Sequence, residues 1–142
     1  MKTKRVNRYY CDYCKKSGCS SGHIRRHEQR CTMNPERVCG VCKLVEAEQK
    51  PMAELLAVLP VRQQFPDLED EDGCTVIPEA FISAVTDALP ALREAAENCP
   101  ACILAALRQA GADMAVLSEF NFTEEMKAVW REVNQSQAEA DY

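Results

Sequence analysis

Hydrophobic residues are spread unevenly along the chain. From Leu44 onward they recur at helical spacing between proline and glycine punctuation. Pro51 opens a short helix carrying Leu55, Leu56, Val58 and Leu59, which Pro60 ends. Pro78 starts a helix with Phe81, Ile82, Val85 and Leu89, and Pro90 either breaks or restarts it. Pro100 stands near the start of a further helix, with Ile103, Leu104 and Leu107 on one face and Gly111 as its C-cap. Thr123 caps a last amphipathic helix bearing Met126, Val129, Trp130 and Val133, which frays into a polar tail from Gln135. Between these helices, Pro66 to Gly73 reads as an acidic, solvated loop without the ligand spacing of an EF-hand. No strand is expected outside the N-terminal stretch.

The N-terminal stretch follows a different rule. Residues 1–10 form a basic arm ending in Tyr9 and Tyr10, and from there to Cys42 the large aliphatics are nearly confined to Ile24, Met33, Val38 and Val41. A unit of this size with so little apolar surface cannot be held by burial alone, so cross-links or metal must supply the cohesion. Ser20 or Ser21 is suited to cap a helix through Gly22 to Cys31, which Asn34-Pro35 stops. The expected organisation is mainly α: a basic zinc-binding module over residues 1–44, a short helix and acidic linker over 45–75, and an acidic helical domain over 76–142.

Charge sharpens this division. Residues 1–44 carry eleven Lys/Arg against three acidic residues, a net +8, whereas the remaining six basic and nineteen acidic residues give −13. The basic part suits a polyanion or the acidic part of a like chain. No apolar run is long enough to span a bilayer and Met1-Lys2-Thr3-Lys4-Arg5 leads into no signal-peptide core, so a cytoplasmic protein is expected. In a reducing compartment closely spaced cysteines are better explained by metal or redox chemistry than by disulfides.

The donors fall in four pairs: Cys11/Cys14, Cys19/His23, His27/Cys31 and Cys39/Cys42. A C-x2-C turn presents two thiolates from one tight knuckle, and donors four apart on a helix present two more from one face, the tetrahedral set Zn²⁺ prefers. Eight donors imply two closed zinc sites with no position left open for a catalytic water. Two partitions fit. One joins Cys11, Cys14, His27 and Cys31, leaving Cys19, His23, Cys39 and Cys42 for the second ion; the other joins Cys11, Cys14, His23 and His27, leaving Cys19, Cys31, Cys39 and Cys42. Cys74, Cys99 and Cys102 are one donor short of a third zinc site. Cys99-Pro-Ala-Cys102 at a helix start also has the form of a thiol redox motif, and burial as plain structural cysteines is the remaining reading.

Cys11-x2-Cys14-x12-His27-x3-Cys31 resembles the C2H2 zinc finger in its C2HC variant, and the interleaving of two such sites is similar to the cross-brace of RING-like binuclear modules. The spacer carries Lys15 to Ser21 in place of the finger's large hydrophobics, which is why a second ion is expected. The finger resemblance implies base-reading positions at Ser20, His23 and Arg26. Compactness and the segment from Cys31 to Cys39 are similar to small zinc-containing accessory proteins of bacteria and their phages. The leading functional expectation is a zinc-dependent DNA- or RNA-binding or regulatory adaptor with Arg5, Arg8, Lys15, Lys16, Arg25, Arg26 and Arg30 on phosphates and the C-terminal helices on protein or a second copy. A protein-only assembly role and a thiol redox protein using Cys99 and Cys102 are the alternatives, and no enzyme is expected outside the last.

Overall fold

In the computed structural model, which describes residues 1–112, 114 and 117–141, about half of the chain is helical. The chain begins with a small hairpin, β1 (Tyr9–Tyr10) against β2 (Ser17–Gly18), followed by α1 (Ser21–Arg30). The Ser20 hydroxyl accepts from the His23 N–H at 3.3 Å, which settles the cap between the two candidate serines. Hairpin and helix enclose a small core of Cys11, Ile24 and Cys31, with Ile24 only 3% exposed. Gly18 lies against Ile24, so a Cβ there would already touch its Cδ1 at 3.6 Å.

Two short helices follow, α2 (Gly40–Leu44) and α3 (Met52–Ala57), then a single 3₁₀ turn at Arg62–Gln64. The acidic stretch expected as an open loop instead contains a second hairpin, β3 (Leu68–Glu69) against β4 (Thr75–Val76). Its tip is closed by Asp70, whose carboxylate accepts from the N–H groups of Asp72 and Cys74 at 3.0 and 2.8 Å, and Gly73 takes the left-handed turn at φ +77°. That local bonding makes a hairpin of a segment whose composition signals only solvation.

The remaining helices are α4 (Glu79–Ala95), α5 (Pro100–Gln109) and α6 (Phe122–Ala140). α4 runs through Pro90 instead of breaking there. Phe81, Val85, Leu89 and Leu92 form one buried stripe at spacings of four, four and three, and Pro90 sits on the exposed side of it. Packing along that stripe offsets the roughly 3 kcal/mol that an interior proline costs. Phe81 is fully buried, tilted against Phe65 at 5.4 Å and covered by the Arg62 guanidinium at 5.2 Å. α5 is the centre of the molecule. Every residue from Pro100 to Leu107 is buried, as a helix apolar on all sides requires, with α2, α3 and α6 packed around it. α6 begins at the Asn121 cap, earlier than Thr123, and continues well past Gln135.

Three helices end in the same way. After α2, α4 and α5 the chain turns through left-handed residues: Glu46 (φ 56°), the pair Glu97 and Asn98 (φ 51° and 59°), and Gly111 (φ 83°). In each case two backbone N–H groups reach back to close the helix: Glu46 to Lys43 and Ala47 to Cys42, Glu97 to Glu94 and Asn98 to Arg93, Gly111 to Arg108 and Ala112 to Leu107. Glycine suits this place without strain, and the two glutamates hold it at a cost of about 1 kcal/mol each. The far end of α5 is tied back to the segment after α1: Gln109 donates to the Thr32 and Asn34 carbonyls at 2.8 and 3.2 Å, and Arg108 to the Thr32 hydroxyl at 3.1 Å.

Truncating Phe81 to alanine is expected to lower stability by about 3–5 kcal/mol, read from chemical denaturation of the metal-loaded protein. Glu97→Gly in the same assay is expected to raise stability by about 1 kcal/mol, since it relieves the left-handed strain and gives up only an exposed ion pair with Lys50.

Candidate metal centres

Two groups of four donors come together, Cys11, Cys14, His27 and Cys31 in one and Cys39, Cys42, Cys99 and Cys102 in the other, each with all ligand atoms within 4.8 Å of one another. The first is built on the small hairpin and α1. Cys11 and Cys14 stand in the knuckle after β1, where the N–H groups of Tyr13 and Lys16 point at the Cys11 and Cys14 sulfurs at 3.4 Å each. The Cys11 N–H donates to the Lys16 carbonyl at 2.9 Å and closes the turn. His27 lies in the last turns of α1 and Cys31 is its C-cap. Two bonds to Glu28 brace the pair from opposite sides: Asp12 N–H to its carboxylate at 2.9 Å and Asn34 Nδ2 to its carbonyl at 2.8 Å.

The second group joins two C-x2-C turns that are sixty residues apart in sequence. Both turns start a helix at the same register, although only Cys39 caps its helix by accepting from an N–H, that of Cys42 at 3.4 Å. Cys39 and Cys99 occupy the cap positions of α2 and α5, and Cys42 and Cys102 follow at the third helical residue. Pro100 at the first helical position of α5 has no N–H to leave unpaired and is fully buried. Gln49 fixes the approach to Cys39 by accepting from its N–H at 2.6 Å and donating to the Arg37 carbonyl at 2.6 Å. All four cysteines are buried, from 0% exposed at Cys39 to 8% at Cys99.

The spacing of the sulfurs fits a tetrahedral ion. Zinc–thiolate bonds of about 2.3 Å put the corners of a tetrahedron about 3.8 Å apart. The observed separations are 3.6 Å for Cys39–Cys99, 3.5 Å for Cys42–Cys99 and 3.7 Å for Cys42–Cys102. They are far beyond the roughly 2.05 Å of a disulfide, and every described cysteine is free. In the first group the Cys14 sulfur and His27 Nε2 are 3.2 Å apart. Both donor sets therefore suit two metal ions, and thiolate-rich tetrahedral sites favour zinc.

Protonation within each group is uneven. In the second, bonds from Cys102 and then Cys99 hold Cys39 well below the usual thiol range, and the same contacts together with burial raise Cys102. Burial pushes Cys42 up to about 12, with Cys99 and Cys39 adding to the effect. In the first group burial pushes Cys31 up to about 11. Cys14 is lowered: burial is the largest single influence and opposes the shift, but the Lys16 N–H and the Cys31 and Cys11 thiols outweigh it. Ionisation is thus favoured at Cys14 and Cys39, and a bound cation must displace the protons held by Cys31, Cys42 and Cys102.

The structure does not bring the other expected donors to either group. Cys19 and His23 lie at the start of α1 outside both sets, and the seats paired with Cys39 and Cys42 are taken by Cys99 and Cys102. The physical reason is economy of donors. α1 turns His27 and Cys31 toward the Cys11–Cys14 knuckle, the first set closes at four, and His23 is left out one turn away. The partition that pairs His23 with His27 is likewise not the one formed. Cys74 is exposed at the foot of the second hairpin and joins no donor group among the described residues. Cys99 and Cys102 are buried, as the structural reading expects, but they complete the group of Cys39 and Cys42 and form neither a third site with Cys74 nor an isolated pair. The overlooked signal is the match between Cys39-Gly-Val-Cys42 and Cys99-Pro-Ala-Cys102, two equal knuckles that complete one another.

A cavity of about 450 Å³ opens beside the first group and is lined by Lys16, His23, Arg26, His27, Gln29 and Arg30. It contains no carboxylate. Arg5, Arg8, Lys15 and Arg25 are also exposed on this part of the chain. No helix among the described residues is long and apolar enough to cross a membrane. Comparison with protein-family models, with curated proteins and with solved structures found no match.

Metal analysis of purified protein is expected to give two zinc ions per chain, one in Cys102→Ser and still two in Cys19→Ser. A count unchanged by Cys102→Ser would remove the second centre. Titrating zinc into the metal-free protein at neutral pH should release at least three protons, from Cys31, Cys42 and Cys102, which calorimetry in buffers of different ionisation enthalpy measures. The sign follows directly: protons compete with the ion for sulfur, so metal retention falls as pH falls.

Proposed function

We propose that the protein is a zinc-organised nucleic-acid-binding adaptor, in which the cationic face of the unit built on the first metal centre holds a phosphate backbone and the helical part contacts protein. The observation that carries this reading is the concavity beside that centre, where Lys16, Arg26 and Arg30 converge with His23 and no acidic side chain intervenes. The nearest carboxylate on α1, Glu28, is turned away to accept from the Asp12 N–H. His23 binds in neither donor group, which leaves it on the cavity wall. A rigid metal-held frame reduces the ordering cost of presenting these side chains to phosphates.

The hairpin-plus-helix arrangement around Cys11, Cys14, His27 and Cys31 supports the resemblance to a C2HC zinc finger. One part of that resemblance is modified. The Ser20 hydroxyl is engaged in capping α1, so Arg26 and His23 are the better candidates for base contact. The donor groups also favour a binding protein over a thiol redox enzyme. Cys99 and Cys102 lie in a four-sulfur set that a single ion closes, with no position kept for substrate.

Anisotropy titrations with labelled duplex DNA and single-stranded RNA over a range of salt test the reading. The zinc-loaded protein is expected to bind with an affinity that falls steeply with salt. The triple variant Lys16→Glu, Arg26→Glu, Arg30→Glu should flatten the log–log salt slope for duplex by about 2, at about 0.9 for each phosphate that Lys16 and Arg30 no longer neutralise, while the loss of Arg26 removes its base contact. Binding that ignores salt, or that survives the triple variant unchanged, would leave a protein-only role in its place.

A further inference from the structure

The long C-terminal helix lies over the molecule without sinking into it. None of its nineteen residues is fully buried, and only Phe122, Glu125, Met126, Val129 and Val133 are half-covered. Beneath it two cavities, of about 330 and 540 Å³, share Val45 and Glu132 and so form one groove along α6. The floor is apolar, with Val41, Val45, Ala96, Pro100, Val129 and Val133 prominent. The rim is acidic. Glu46, Glu48, Glu97, Glu125 and Glu132 line it, and no lysine or arginine does. Glu97 and Glu125 are paired with Lys50 and Arg93, while Glu46, Glu48 and Glu132 have no ion-pair partner among the described residues.

The complementary segment is the N-terminal arm of this same chain. Residues 1–8 are exposed throughout, carry Lys2, Lys4, Arg5 and Arg8 with no acidic residue, and place the apolar Val6, 60% exposed, among them. The root of the arm is fixed, because Arg8 Nε donates to the Ser17 hydroxyl at 3.0 Å. The groove follows α6 from Glu125 to Ala140, about 22 Å at the helical rise, and the stretch from Lys2 to Arg8, extended, reaches about 20 Å along it.

We propose that the groove under α6 receives the N-terminal arm of a second copy of the chain, with Val6 on the apolar floor and Lys2, Lys4 and Arg5 against the rim carboxylates. Exchange of two arms makes the contact reciprocal and two-fold, so each groove is filled once and the assembly closes at a dimer. An eight-residue arm covers little area, so the association is weak and depends on salt. Neither the cavity beside the first metal centre nor any nucleic acid takes part in this contact.

Light scattering coupled to size exclusion, on the full zinc-loaded chain, tests it. The wild type is expected to approach the dimer mass at high protein concentration and low salt and to return to the monomer at high salt. The rim variant Glu46→Lys, Glu48→Lys, Glu132→Lys and the arm variant Lys2→Glu, Lys4→Glu, Arg5→Glu should each be monomeric alone. Mixed one to one they should recover the dimer, because each arm then meets a groove of opposite charge. Retention of two zinc ions per chain certifies that both variants are folded. A monomeric wild type under all conditions, a dimer that survives either reversal, or a mixture that stays monomeric would each overturn the proposal.

Discussion

Two C-x2-C turns meet in the middle of this molecule with all four sulfurs within 4.8 Å, and the rest of the architecture depends on that junction. One turn belongs to the cysteine-rich N-terminal part and the other opens the most deeply buried helix. Cys39 and Cys42 sit in the same hydrophobic cluster as Leu55, Phe81, Leu92, Ile103 and Leu107. An ion there would crosslink chain segments sixty residues apart and remove a large part of the freedom of the unfolded chain. It also resolves an electrostatic difficulty, since four thiolates could not share so small and dry a volume without a cation between them.

The two centres do different physical work. The centre that includes His27 replaces a core: around it only Ile24 is a buried aliphatic. The all-cysteine centre is embedded in a core that already contains Phe81 and the whole of α5 up to Leu107, and its effect is to orient α2 against α5. The Thr32 and Asn34 contacts from Arg108 and Gln109 join the opposite end of α5 to the segment between the centres. The basic concavity and the acidic groove are thereby displayed on one frame. Nucleic-acid binding by the first and arm exchange through the second are proposals that stand or fall separately.

The left-handed glutamates mark where packing overrules local preference. Glu46 follows α2 and Glu97 precedes the Cys99 turn, so each lies next to a segment that delivers sulfur to the all-cysteine centre. Both hold a geometry that favours glycine, and both lie beside the groove under α6, where their carboxylates add to its negative rim. A glycine at either place would relax the turn and discharge the rim at the same time.

Residue order alone determined a good deal. The shortage of aliphatics before Leu44 called for metal, the spacing of Cys11, Cys14, His27 and Cys31 matched one four-donor group, proline positions with apolar periodicity located α3, α4 and α5, and periodicity alone located α6 without its ends. These are legible because each rests on neighbours within a few turns. Only the tertiary structure decided that Cys39 and Cys42 meet Cys99 and Cys102 in place of Cys19 and His23, that α4 continues through Pro90, and that the acidic stretch folds as a hairpin around Asp70. The first depends on chain closure across sixty residues, for which no local periodicity exists. The second depends on the buried stripe from Phe81 to Leu92 outweighing the missing hydrogen bond of a proline, and the third on one carboxylate receiving two backbone N–H groups. Such outcomes are set by competition between distant or individually small free energies, and only the assembled packing fixes which of them prevails.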